Sequence, residues 1–117
     1  MTKNYIEITQ GISAGLKTLR KDISDVTTGF SQLAQAATKD GALSKKTKEL
    51  IALCLGVAAH CDGCIGFHAK ALVDLGATKE EVEEALGMAV YMGGGPSYMF
   101  AADAIQAFEQ FSAQKAA

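Results

Sequence analysis

The sequence predicts an all-α fold, a six-helix bundle built around a central apolar helix hairpin, with no strand. Three observations carry that prediction. Apolar residues make up 49% of the 117 positions while aromatics make up only 7%, and much of the apolar content is alanine and leucine, which favours helices over sheets. Apolar positions recur three and four apart, the spacing of one helix face. Capping and turn residues punctuate the chain, and the mostly short connections between them make neighbouring helices antiparallel.

Over residues 4–20, Tyr5, Ile8, Ile12, Leu16 and Leu19 line one face, weakened by Gly11 and Gly15. Asp22 is placed to cap a second helix, in which Ile23, Val26, Phe30, Leu33, Ala34 and Ala37 form an apolar stripe opposite Ser24, Asp25, Gln32 and Gln35. That helix should end near Thr38, before the turn residues Lys39-Asp40-Gly41. Ser44 is a good N-cap for a third helix. From Leu50 onward this helix is apolar on every side, which predicts burial all round and a central position. A fourth helix is expected from Asp62, as N-cap, to Leu75, with Gly76 at the left-handed terminal position. Thr78-Lys79-Glu80-Glu81 is a capping box for a fifth, with Val82, Ala85, Leu86 and Ala89 inward. Gly93-Gly94-Gly95 breaks it. Pro96 then opens a sixth helix with Tyr98, Ala101, Ala102, Ile105, Phe108 and Phe111 inward.

Chain length fits one domain, 1–117, able to bury roughly two-thirds of its unfolded surface. Eleven basic against thirteen acidic residues give a formal charge of −2, so nucleic acid and anionic membrane surfaces have no electrostatic case as partners. The N-terminal stretch is interrupted by Glu7, Gln10 and Gly11, and no signal peptide is read there. The longest apolar run, Leu50 to Ala59, is too short to span a bilayer. A cytoplasmic location is expected. There thiols stay reduced, and three cysteines are better explained by catalysis, metal binding or burial than by a disulfide framework.

The chemistry concentrates in Cys61-Asp62-Gly63-Cys64-Ile65-Gly66-Phe67-His68. If this segment is helical, steps of about 100° place Cys61, Cys64 and His68 within roughly 60° of one another. Residues three apart on a helix have Cα atoms about 5 to 6 Å apart, within disulfide range, so the pair can cycle between dithiol and disulfide. Capped by Asp62, Cys64 would lie in the first turn, where the helix dipole favours a thiolate and the Asp62 charge opposes it. An imidazole one turn further on can take or return the proton. Glu49 lies about as far before the hairpin turn as His68 lies after it, at heights differing by roughly 7 Å, so long side chains or one water complete a Glu49–His68–thiol relay. A zinc site remains open, with Cys61, Cys64 and His68 as three ligands and Glu49 or His60 as the fourth. Cys54 is expected to be a small core residue, and His60 to end its helix. The triglycine segment lacks the Gly-Lys-Ser/Thr ending of a phosphate loop.

The spacing Glu-x11-Cys-x2-Cys-x3-His, followed by Gly76-Ala77-Thr78-Lys79-Glu80-Glu81-Val82 and Met92-Gly93-Gly94-Gly95-Pro96, resembles the carboxymuconolactone decarboxylase superfamily, and within it the alkylhydroperoxidase AhpD-like branch. The resemblance covers about residues 10–112. Decarboxylases proper lack the cysteine pair, so it implies redox chemistry over lactone decarboxylation. By position, Cys64 resembles the cysteine that attacks the peroxide. Cys61 resembles the one that donates a proton and resolves the sulfenic acid to a Cys61–Cys64 disulfide, and Glu49 and His68 resemble the relay. The histidine that better-studied members carry just before the second cysteine is here Gly63.

The resemblance implies a thiol-dependent alkylhydroperoxide reductase-like oxidoreductase with a small hydroperoxide substrate. Its cofactor requirement would be none beyond the redox-active disulfide and an external thiol or lipoylated protein reductant. It also implies a homotrimer or homohexamer, in keeping with a mean hydropathy of +0.13. Two alternatives stand beside it: a protein thiol-disulfide reductase, and a zinc-binding or structural assembly module.

Overall fold

The computed structural model describes residues 3–117 and folds them into six helices: α1 (Tyr5–Asp22), α2 (Ser24–Thr38), α3 (Lys45–Ala58), α4 (Asp62–Asp74), α5 (Lys79–Gly93) and α6 (Gly95–Ala116). No strand occurs among the described residues. The boundaries follow local chemistry. Ser44 accepts the Thr47 N–H. Thr78 and Glu81 satisfy each other's backbone N–H groups at 3.1 and 2.9 Å. Gly76 and Gly94, at φ +76° and +72°, take the left-handed backbone that ends α4 and α5, and Pro96 occupies the first turn of α6. One expected cap fails. Asp22 is the last residue of α1, and α2 starts at Ser24 behind Ile23, an N-cap position with no side-chain hydrogen bond.

The central element is α4, which packs against α1, α3 and α6 and buries Ile65, Gly66, Ala69, Leu72 and Val73. Around it Leu53, Val57, Val82, Phe108 and Phe111 close the core. Each fully buried aliphatic among them contributes roughly 1.5–3 kcal/mol. The expectation that α3 is buried on all sides is corrected. Leu53 and Val57 face α4, but Ile51 and Leu55 are exposed, because none of the described residues covers the side of α3 that borders α5. In α6 Ala101, Phe108 and Phe111 face inward as expected, but the rest of the inward face is shifted. Tyr98 and Ala102 are exposed while Ala104 and Ala107 are fully buried, small side chains that let helices approach closely.

The start of α1 is stapled to α6: the Tyr5 N–H donates to Gln110 Oε1 at 2.8 Å, and Gln110 Nε2 donates to the Lys3 carbonyl at 2.8 Å. Tyr5 is fully buried. Beyond Ile12, which still meets α4 at Gly63, the helix leaves the body. Its C-terminal half and all of α2 form an arm in which α2 buries no residue, so Ile23, Val26, Phe30 and Leu33 face solvent rather than a core. The amphipathic stripe is present as expected, but among the described residues no element covers it.

Candidate active site

The functional segment begins where α3 ends. His60 takes the left-handed conformation at φ +55°, with its N–H on the Val57 carbonyl and the Cys61 N–H on the Gly56 carbonyl. This pair of bonds is a Schellman ending, with histidine where glycine is usual. His60 thus terminates its helix, as expected, and its ring stacks on Phe100 at 4.6 Å. The sharp reversal sets Cys61 immediately before α4.

Cys61 is the N-cap of α4, with φ −108° and ψ 99°, and its sulfur accepts the Cys64 N–H at 3.1 Å. The expected N-cap, Asp62, is instead the first helical residue, because its carboxylate is engaged elsewhere. Cys61 and Cys64 are joined as a disulfide, with Cα atoms 5.2 Å apart. Gly56 permits this crossing, since a β-carbon there would lie 3.0 Å from Cys64 Cβ. His68 follows Cys64 by one turn, and its Nδ1 lies 2.6 Å from Glu49 Oε2. The offset expected between Glu49 and His68 is closed by direct contact, without a bridging water. Glu49 is 5% exposed and His68 half-buried, so the carboxylate holds the ring from the protein side. Proton on Nδ1 satisfies that contact and leaves Nε2 as the basic nitrogen.

The second set of contacts converges on Asp62, between the two cysteines. Tyr5 Oη donates to Asp62 Oδ1 at 2.8 Å, and Lys3 Nζ bridges Asp62 Oδ1 at 3.0 Å and Asp103 Oδ2 at 2.9 Å. Lys3 also sits over the Phe100 ring, 4.9 Å from its centroid. Burial alone would raise the Asp62 pKa, but the hydrogen bonds from Lys3 and Tyr5 outweigh it and hold the carboxyl below its ordinary value. The Asp103 and Asp62 hydrogen bonds raise Lys3. Burial first, and then the bond to Asp62, pushes the Tyr5 hydroxyl far above its usual range. The Asp62 charge, which by itself opposes a thiolate at Cys64, is therefore countered by Lys3.

Cys54 is a half-buried thiol that donates to the Ala85 carbonyl at 3.1 Å, and burial raises its pKa. It behaves as the small core residue expected. Among the described residues no cluster of three His, Cys, Asp or Glu side chains is arranged to hold a metal ion, since Cys61 and Cys64 are engaged with each other.

The family model for carboxymuconolactone decarboxylases matches residues 24–107, a span that contains Glu49, Cys61, Cys64 and His68. The chain belongs to the carboxymuconolactone decarboxylase family. A member of this family from Legionella pneumophila, solved in its apo form, is 63% identical and superposes with a TM-score of 0.91 over 92% of this chain and 96% of the other. A family member from Thermotoga maritima is 33% identical, with a TM-score of 0.71 over 77% of this chain and 93% of its own. An uncharacterized protein of Cupriavidus necator is 40% identical over 84 residues, 72% of this chain and 74% of the relative.

Sequence reasoning singled out four residues that the α3–α4 hairpin brings together, Glu49 against His68 and Cys61 against Cys64. It missed Lys3, Tyr5, Phe100 and Asp103. These reach the site from both ends of the chain, Lys3 and Tyr5 from outside the matched span, and no local spacing signals them. No helix among the described residues is long and apolar enough to cross a membrane.

Proposed function

We propose that this chain is a thiol peroxidase of the alkylhydroperoxidase-like kind, reducing small hydroperoxides through a Cys61/Cys64 dithiol–disulfide cycle. The observation that carries the reading is a disulfide one turn before an imidazole whose ring is held by a buried carboxylate. In support, the Thermotoga relative is named for a suspected part in an antioxidative response.

The Cys64 thiolate attacks the terminal peroxide oxygen and the O–O bond breaks. His68, oriented by Glu49, gives the departing alkoxide its proton, so alcohol leaves and Cys64 becomes a sulfenic acid. Cys61 then passes its thiol proton to His68 and attacks that sulfur; the S–O bond breaks, His68 returns the proton to the departing hydroxide, and water leaves as the disulfide closes. Cys61 is suited to the second step. At the N-cap its sulfur accepts the Cys64 N–H and faces the positive end of the α4 dipole, both of which favour the thiolate. An external dithiol, dihydrolipoamide or a lipoylated protein, supplies two electrons and two protons to reopen the disulfide. No cofactor enters the cycle.

Peroxide consumption with dihydrolipoamide or dithiothreitol is the test. Turnover should vanish in Cys64→Ser, while Cys61→Ser should accumulate a Cys64 sulfenic acid that dimedone traps. Full activity in Cys64→Ser would refute the assignment. Insulin-type disulfide reduction faster than peroxide turnover would transfer the same dithiol to a protein substrate, and stoichiometric zinc in the purified protein would end the redox reading.

A further inference from the structure

Lys3 is held at its backbone and again at the tip of its side chain. Its carbonyl accepts from Gln110 Nε2 at 2.8 Å, and its Nζ lies 3.0 Å from Asp62 Oδ1, 2.9 Å from Asp103 Oδ2 and 4.9 Å from the centre of the Phe100 ring. A lysine loses much rotamer freedom when it is fixed in this way. Stability alone gives little in return, because the Lys3 side chain is still 38% exposed and ion pairs in contact with solvent contribute little. The identity of the acceptor gives a better reason. Asp62 is the peptide neighbour of Cys61 and lies two residues before Cys64.

A carboxylate in the first turn of a helix has another use for its oxygens. Short acidic side chains at this end compete for the free backbone N–H groups. Here Asp62 bonds to Lys3 and Tyr5 instead, and the Cys64 N–H goes to the Cys61 sulfur at 3.1 Å. The clamp therefore favours a thiolate twice over: the negative charge beside Cys61 is matched by a cation, and a helix N–H stays free to bond sulfur. Tyr5 contributes to both effects, since its hydroxyl donates to the same Asp62 oxygen from a fully buried ring.

We infer that Lys3 and Tyr5 are positioning residues of the dithiol, acting through Asp62 to keep Cys61 and Cys64 readily ionised. The inference rests on the reading of that pair as a working dithiol. Both halves of its cycle use the effect. Attack on a peroxide needs a thiolate. When an external dithiol reopens the disulfide, its thiolate bonds to one sulfur, the S–S bond breaks, and the other sulfur leaves as a thiolate, faster the more acidic its thiol.

The test reads the thiols directly and needs no peroxide. Reduced protein is alkylated with iodoacetamide from about pH 5 to 10, and mass spectrometry follows the rate at each cysteine. Cys54, which bonds the Ala85 carbonyl instead, is the internal reference. The other titratable groups at the site are Glu49 from α3, His68 from α4 and Asp103 from α6, with His60 in the turn between α3 and α4. The variants leave all four in place, so each profile is read as a difference from wild type.

Lys3→Met should move the Cys61 and Cys64 profiles to higher pH by roughly half to one unit, slowing alkylation at neutral pH roughly threefold to tenfold. Lys3→Arg keeps the cation and should restore the wild-type profile. Tyr5→Phe keeps the buried ring and should move the profile the same way by a smaller amount. With Asp62→Asn in place, Lys3→Met should lose most of its effect. Lys3 is partly exposed, so its variants should keep wild-type helicity; should Lys3→Met lose it, Lys3→Gln carries the same test. A wild-type profile in Lys3→Met or Tyr5→Phe, failure of Lys3→Arg to restore the profile, or an equal Lys3→Met shift with and without Asp62 would each overturn the inference. Alkylation reports the thiolate alone, so these outcomes are independent of whether the wild type turns over peroxide.

Discussion

Glu49 Oε2 lies 2.6 Å from His68 Nδ1, joining the first turns of α3 to the middle of α4 across the hairpin that carries the disulfide. The carboxylate fixes the ring and decides which nitrogen is left to work as a base. Glu49→Gln keeps the shape and removes the charge. Peroxide turnover with dihydrolipoamide should fall by roughly 10²–10⁴-fold, the range of a lost acid–base contribution. Unchanged turnover would remove Glu49 from the relay.

The same contact stabilises the fold, because His68 is the partner of a carboxylate that is 5% exposed. His68→Ala leaves that carboxylate without its partner and should cost roughly 1–3 kcal/mol in urea unfolding. Adding Glu49→Gln removes the stranded charge, so the double variant should be less damaged than the sum of the two singles by at least about 0.5 kcal/mol. Strict additivity would mean that the pair is uncoupled in solution.

Tyr5 predicts the alkaline limit. Burial, then its hydrogen bond to Asp62, holds the folded-state pKa well above the ordinary value of 10.0. A group whose folded pKa is raised keeps its full contribution below the unfolded pKa and loses it as pH rises. Above pH 10, ionisation of Tyr5 in the unfolded chain should therefore lower stability by up to about 1.4 kcal/mol per pH unit. The advantage of the wild type over Tyr5→Phe, measured by urea melts at pH 8, 10 and 11, should shrink only beyond pH 10. A constant gap would show that the hydroxyl ionises freely in the fold.

How much of this molecule was legible in its sequence depends on the range of the forces involved. Ser44, the Thr78–Glu81 box and Gly76 act on backbone groups within a few residues, and helices α3, α4 and α5 begin or end where those residues say. Glu49, Cys61, Cys64 and His68 were legible because one tight hairpin turns sequence spacing directly into proximity. Asp62 was misassigned as a cap because Tyr5 and Lys3, 57 and 59 residues away in sequence, draw its carboxylate from the helix end. The expected burial of the outer face of α3 failed for a different reason. Amphipathic spacing states that a face needs covering, and it is silent on whether the same chain covers it.

His60 offers a test of backbone strain beside the disulfide. At φ +55° a residue with a β-carbon costs roughly 1 kcal/mol or more over glycine. Both His60→Ala and His60→Gly lose the ring stacked on Phe100. The stacking loss cancels between them, so the glycine variant should be the more stable by about 1 kcal/mol. Equal melting midpoints would mean that the turn relaxes out of the left-handed region.

Gly63 marks the departure from the better-studied pattern, and its neighbour explains why a side chain is absent there. A β-carbon at Gly63 would lie 2.7 Å from Ile12 Cδ1, on the face of α4 that α1 covers. Histidine at this position must swing the far end of the Ile12 side chain aside, so Gly63→His should cost about 1 kcal/mol, the low end of overpacking. Shortening the neighbour makes room: Ile12→Ala with Gly63→His should be more stable than the two single losses predict, by over about 0.5 kcal/mol. If the pair merely adds, α1 shifts freely and Ile12 does not guard the position. If the coupling appears, the place of the missing histidine is occupied by α1 itself. In the proposed cycle the proton transfers near Cys64 are then left to His68 and Glu49.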